Sequence, residues 1–115
     1  MSVVAIVGRP NVGKSTIFNI LTASRSAIVA DYSGLTRDRK YGNLKDSHIT
    51  LIDTGGLNEE SDDMSHAIKE QTDLAIDEAD SLLFVVDAID GLLPTDKEIA
   101  QSLRKHNKNI TLLIN

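Results

Sequence analysis

Four short apolar runs punctuate the chain at wide intervals: Val3 to Val7, Ile49 to Ile52, Leu82 to Val86, and Ile110 to Ile114. Each is nearly continuous and rich in β-branched residues, the pattern of strands buried on both faces. Tyr41 to Leu44, joined to the second run through Lys45, Asp46 and Ser47, predicts an edge hairpin. Between the runs the period becomes helical. Lys14 to Leu21 puts Ile17, Ile20 and Leu21 on one face, and Ile68, Thr72, Ala75 and Ala79 follow spacings of four, three and four. Thr95 to Glu98 has the Thr-x-x-Glu form of a capping box, with Ile99 and Leu103 one turn apart on the buried side. Buried strands alternating with helices imply right-handed crossovers and a mostly parallel α/β sheet with helices on both faces. Two segments break the rhythm, Ala23 to Arg39 and Leu57 to about Ser65. The second carries Glu59, Glu60, Asp62 and Asp63, a charge density that favours solvation over packing. Irregular stretches this long in a compact chain are usually functional or mobile.

Composition narrows the picture. At 115 residues the chain holds one domain, and aromatics are only 3% of it, so the core is built from Ile, Leu, Val and Ala. A formal charge of −5 argues against nucleic-acid binding by this surface alone. It leaves phosphate binding open, because backbone N–H groups and one Lys can hold phosphate inside an acidic protein. With no cysteine, disulfides and thiolate metal sites are excluded. His48, His66 and His106 are too scattered for a metal site, and His106 fits a helix-end dipole partner. The first apolar run has no basic leader and reads as a strand, not a signal peptide, and no run approaches membrane-spanning length. A soluble, cytoplasmic protein is expected.

Gly8-Arg9-Pro10-Asn11-Val12-Gly13-Lys14-Ser15 fits the phosphate-loop pattern Gly-x-x-x-x-Gly-Lys-Ser without a mismatch. A buried strand runs into it and an amphipathic helix leaves it, the context that pattern requires. Gly8 and Gly13 allow the backbone to wrap closely round phosphate, with the N–H groups of the loop pointing inward. Lys14 is placed to reach the β- and γ-phosphates and the Ser15 hydroxyl to ligate Mg²⁺. Asp53-Thr54-Gly55-Gly56 follows the second strand directly. An Asp there holds Mg²⁺ through water, and Gly56 offers an unobstructed N–H to the γ-phosphate. The same four residues are also good turn chemistry. Between the two motifs, Thr36 is the candidate to present its hydroxyl to Mg²⁺ and its N–H to the γ-phosphate, so that loss of the phosphate releases the loop. Arg37 and Arg39 fit ion-paired surface residues better than an arginine finger. Asp87 and Asp90 flank a turn and fit its caps, and Arg104 and Lys105 read as a solvated helix end.

These motifs resemble the bacterial Der (EngA) family of translation-factor-related GTPases. The similarity runs along the whole chain: Gly8 to Ser15 with Thr16, Ile17, Phe18 and Asn19; Leu35-Thr36-Arg37-Asp38-Arg39; Asp53 to Gly56; and Phe84-Val85-Val86-Asp87. The Thr-Arg-Asp-Arg element with Asp-Thr-Gly-Gly favours Der over its relatives Era and MnmE. The resemblance implies a P-loop NTPase fold, binding of GTP or GDP with Mg²⁺, and GTP hydrolysis. It also implies contact with Gly8, Asn11, Val12, Gly13, Lys14, Ser15, Thr16, Asp53, Gly56 and Asn115. Family members carry two GTPase domains in tandem and a KH-like domain, associate with the large ribosomal subunit and act in its assembly. Residues 1–115 correspond to the front of the first GTPase domain. Asn115 matches the Asn of the Asn-Lys-x-Asp motif that reads guanine, and the rest of that motif and the Ser-Ala loop lie beyond the sequence.

Two further expectations follow from that correspondence. A base-reading site built to pair a polar group discriminates by ~10⁴–10⁵, so this chain alone is expected to keep phosphate and Mg²⁺ chemistry but not GTP preference. Sheet edge and apolar surface left uncovered at the C-terminal end are expected to lower stability and promote self-association. Catalysis is also distinctive. The position after Asp-x-x-Gly, where many switch GTPases place a Gln, is Leu57. Asn11 matches a place where related GTPases bind K⁺ in lieu of an arginine finger, and it fits a plain turn residue equally well. Asn11, Lys14 and Thr36 are thus the catalytic candidates. Two alternatives stand beside the GTPase: a non-catalytic, self-associating piece with weak, non-selective phosphate binding, and a P-loop kinase acting on ATP. Asp-Thr-Gly-Gly and the Thr36 loop speak against the kinase.

Overall fold

The structure, a computed structural model, describes residues 2–22, 40–45, 47–54 and 65–115, with only the backbone described for Lys40 and residues 65–71. Strand β1 (Val3–Val7) leads into helix α1 (Lys14–Thr22). Strands β2 (Lys40–Asn43) and β3 (Thr50–Asp53) follow, then helix α2 (Ser65–Glu78), β4 (Ser81–Val86), helix α3 (Pro94–Arg104) and β5 (Asn109–Ile114). The sheet order is β2-β3-β1-β4-β5. β1 pairs in parallel with β3 and β4, and β4 with β5; only β2–β3 is antiparallel, the predicted hairpin. Val3 pairs with Thr50 and Val4 with Ser81, so the carboxyl ends of β1, β3 and β4 lie together at one end of the sheet.

The helices divide the core in two. On one face Ala75, Ile76, Ala79 and Leu103 pack against Ala5, Val7, Ile52, Leu82, Phe84 and Val86. On the other, Phe18 of α1 and Val12 pack against Ile6, Leu51 and Val85. Alternate residues of one strand serve opposite faces, which is why these runs are nearly continuous. β5 departs from the expectation of burial on both faces. Leu113 packs against the α1 side, but Ile110, Leu112 and Ile114 are 40%, 56% and 65% exposed, because β5 is the edge strand.

Two helix expectations need correction. In α1 the inward residue is Phe18, fully buried, while Ile20 is 70% exposed; Ile17 and Leu21 flank the buried line. The apolar stripe is centred one position away from the predicted one. Ile20→Gln is therefore expected to change unfolding free energy by no more than about 0.5 kcal/mol, the range of ordinary surface substitutions; chemical denaturation measures it.

At α3 the capping box is not Thr95 with Glu98. The helix starts two residues earlier, with Pro94 at its first position and Leu93 before it. Proline's fixed φ suits that place, where its missing N–H costs nothing. The reciprocating carboxylate is Asp96, whose Oδ2 accepts the Leu93 N–H at 2.9 Å. Leu93 has no side-chain acceptor, so only this half of the box exists. His106, expected as a dipole partner, sits just past α3 and also reaches across to α2, with Nδ1 3.0 Å from Asp77 Oδ1.

Candidate functional site

β1 ends in a tight turn that the glycines permit and the neighbours require. A Cβ on Gly8 would lie 2.6 Å from the Val85 carbonyl oxygen of β4, and φ there is +156°. At Gly13, φ is +98° and a Cβ would fall 2.5 Å from Asn115 Nδ2. A side chain is thus excluded at Gly8 by the β4 main chain, and at Gly13 it is disfavoured by the positive φ and would displace the Asn115 amide. Asn11 takes the left-handed conformation, φ +69°, which Asn tolerates better than most residues, and it is exposed. Its turn role is thereby observed, and nothing in that conformation opposes a second role for its side chain.

Lys14 opens α1 and is only 5% exposed. Its Nζ donates to the carbonyls of Gly8 at 2.7 Å and Arg9 at 2.8 Å, folding the side chain back across its own loop. Ser15 Oγ donates to Asp53 Oδ2 at 3.0 Å. Asp53 ends β3, fully buried, beside β1 through the Ile6–Asp53 register. Thr54 fixes the exit of β3, its Oγ1 donating to the Ile6 carbonyl at 2.7 Å. At the far side, Asn115 Nδ2 donates to the Val12 carbonyl at 2.8 Å. Residues distant in sequence thus converge on one loop from β3 and β5. Thr16, on the first turn of α1, is exposed beside Ser15.

The donor set suits a hard divalent cation. A hydroxyl and a carboxylate oxygen stand 3.0 Å apart at the N-terminus of a helix, and Mg²⁺ favours such oxygen ligands together with water and phosphate. Thr36, Arg37, Arg39, Gly55, Gly56, Leu57 and the side chains of His66 and Ile68 lie outside the described residues.

Sequence reasoning missed an ionic cluster behind the loop. Arg9 Nη2 lies 2.6 Å from Asp90 Oδ2, and its Nε lies 3.4 Å from Oδ1 of the fully buried Asp96. The Asp90 hydrogen bond raises the Arg9 pKa above its ordinary value, against the opposing effect of desolvation, with Asp96, Asp90 and Asp87 adding favourable charge. Asp87 caps its turn as expected, accepting the Ile89 N–H at 2.8 Å, but Asp90 is spent on Arg9. No local pattern joins positions 9, 90 and 96; only the sheet order does.

A phosphate loop between β1 and α1, an Asp at the end of the adjacent β3 and a mostly parallel sheet with helices on both faces define a P-loop GTPase fold. The chain belongs to the 50S ribosome-binding GTPase family, whose sequence pattern matches residues 3–115. It is 53% identical over 115 residues to the protein named GTPase Der of Marinomonas sp. (strain MWYL1), covering 98% of this chain and 26% of that protein. The chain thus spans about a quarter of the length of the curated relatives it matches. The resemblance to Der drawn from the motifs holds. Among solved structures, Aquifex aeolicus Era bound to GDP and AlF4⁻ superposes with a TM-score of 0.80 at 37% identity, over 100% of this chain and 41% of that one. Era in complex with MgGDPNP and a segment of 16S ribosomal RNA gives 0.72 at 35% identity, over 99% and 40%. No helix among the described residues is long and apolar enough to cross a membrane.

Proposed function

We propose that this chain is the GTP-binding and GTP-hydrolysing switch domain of a cytoplasmic ribosome-assembly GTPase acting on the large subunit. The observation that carries this is the convergence of Lys14, Ser15, Asp53 and Asn115 on one loop. Support comes from relatives named GTPase Der and from Era structures holding GDP·AlF4⁻ and MgGDPNP.

In this reading the loop N–H groups from Asn11 to Thr16 and the Lys14 ammonium hold the β- and γ-phosphates. Ser15 and Thr36 would ligate Mg²⁺, with Asp53 behind its water, and the metal would supply neutralisation of charge at the phosphates. Gly56 donates to the γ-phosphate, and Asn115 ties the loop to the base-reading end of β5. The Leu57 side chain can neither donate nor accept, so charge stabilisation would fall to Lys14 and to a K⁺ that Asn11 would hold. Water attacks the γ-phosphorus, the bond to the β–γ bridging oxygen breaks, and GDP and phosphate leave.

Labelled GDP, GTP and ATP titrated with and without Mg²⁺ test the proposal. Mg²⁺-dependent nucleotide binding is expected. Asp53→Ala should weaken the Mg²⁺-dependent part roughly 10–100-fold, as loss of a group orienting a metal's ligands does, and leave metal-free binding unchanged. No binding by the wild-type chain would sink the proposal. Hydrolysis equally fast in Na⁺ and K⁺ would remove the K⁺ role alone.

A second reading, self-association without catalysis, is favoured by the exposed Ile110, Leu112 and Ile114 on edge strand β5. Sedimentation across a concentration series distinguishes it: a monomer at all concentrations excludes it.

A further inference from the structure

Asp96 is an anomaly. Helix starts commonly carry exposed acids, but this carboxylate is 0% exposed and only half satisfied. Oδ2 accepts the Leu93 N–H; Oδ1 has no hydrogen-bond partner, and neither does the buried Nε of Arg9 3.4 Å away. A buried carboxylate needs a charge partner, and here that partner is drawn from the phosphate loop. Capping alone requires one oxygen and no burial.

Arg9 joins two systems. Its guanidinium is held between Asp96 and Asp90, across the β4–α3 connection. Its main-chain carbonyl accepts from Lys14 Nζ. Packing does not replace this tether, because a cavity of about 310 Å³ between α2 and α3 runs along Val7, Gly8, Arg9 and Pro10. Gly8 adds little stiffness of its own. On the α2–α3 side the first turn of the loop is therefore braced by ion pairs, while on the other Gly8 packs directly against Val85 of β4.

We infer that Arg9 is a positioning residue, tethered by Asp90 and Asp96, that holds its own carbonyl where Lys14 Nζ finds it and so sets the loop's affinity for phosphate. The inference rests on the reading of Lys14 as the phosphate ligand. A guanidinium fork bridges two carboxylates in a fixed plane, which a lysine ammonium cannot reproduce.

The test compares the full chain with Arg9→Lys and with the double variant Arg9→Met/Asp96→Asn. The double variant removes both buried charges and keeps an acceptor for the Leu93 N–H, so stability should stay close to wild type. Two readouts are taken beside thermal melts. The first is the ¹⁵N-detected ammonium signal of Lys14, without nucleotide. In the wild type, donation to two carbonyls should slow its exchange with water; in the double variant the signal should broaden away or shift. The second is the dissociation constant for Mg²⁺–GDP, expected to rise roughly tenfold, as for partial loss of one hydrogen bond to a charged group. Arg9→Lys should fall between.

An unchanged Lys14 signal in the double variant overturns the inference. So does a Lys14 signal that changes only in step with a lowered melting temperature. Should the double variant fail to fold, Arg9→Lys decides by the same signal. If the wild type binds no nucleotide, the functional proposal fails while the Lys14 signal still decides the tether.

Discussion

Lys14→Ala is expected to weaken nucleotide binding by roughly 10²–10⁴-fold while the chain stays folded. Hydrogen bonds to charged groups contribute about 1.5–3 kcal/mol each. An ammonium shared between two phosphates therefore supplies about 3–6 kcal/mol, and each 1.4 kcal/mol is tenfold in affinity. The side chain is 5% exposed and already folded over the loop, so little rotamer freedom remains to be lost on binding. The carbonyls of Gly8 and Arg9 that it now satisfies belong to half-buried residues, within reach of water once the side chain is gone. The fold should accordingly lose no more than about 1–3 kcal/mol. Calorimetric titration with Mg²⁺–GDP, beside a thermal melt, separates the two effects. A variant binding within tenfold of wild type would remove Lys14 from the phosphate site.

Gly8→Ala should do the opposite, damaging fold and site together. Its methyl would fall 2.6 Å from the Val85 carbonyl oxygen, which is main chain in a strand paired on both sides. Such an atom cannot rotate away as a flexible side chain would. Overpacking of this kind costs about 1–3 kcal/mol. The glycine's φ of +156° adds strain of about 1–3 kcal/mol for an L-residue held there. A total of about 2–6 kcal/mol, at roughly 4–8 °C per kcal/mol for a domain of about this size, implies a drop of at least about 8 °C in melting temperature. Relief is possible only by separating β1 from β4 at the end where the loop begins, so phosphate affinity should fall as well. A melting temperature within 2 °C of wild type, roughly a quarter of that drop, would show that the turn relaxes without disturbing the sheet.

Much of this was legible because the signals are periodic or local. Buried parallel strands write themselves as β-branched runs, and the phosphate loop is fixed by eight consecutive residues. The hairpin of β2 and β3 could be read from the short polar connection between Leu44 and Ile49. Failures occurred where one position decides. In α1, Ile17, Phe18, Ile20 and Leu21 offer two apolar lines about one residue apart, and only packing against Leu51 and Val85 selects the one through Phe18. At α3, Thr95 and Glu98 imitate a capping box, but Pro94 starts the helix earlier and hands the carboxylate role to Asp96. The apolar run of β5 by itself predicted burial on both faces; the uncovered edge at that end was expected only from the resemblance, and Ile110, Leu112 and Ile114 lie on it. Arg9 was hidden in a variable position of a known pattern, and its partners lie more than eighty residues away.

The hydrogen bond from Asn115 to the Val12 carbonyl spans 103 residues of sequence. Contacts of such separation are entropically costly to close and slow to form, since the intervening chain must be ordered before they return anything. The loop's opening segment can be shaped by its neighbours on β1 and α1, but its seal at Val12 and Gly13 waits for β5 to add to β4. The seal is therefore expected to form only once the sheet is assembled as far as β5, which refolding followed by hydrogen exchange at Val12 and Gly13 would check.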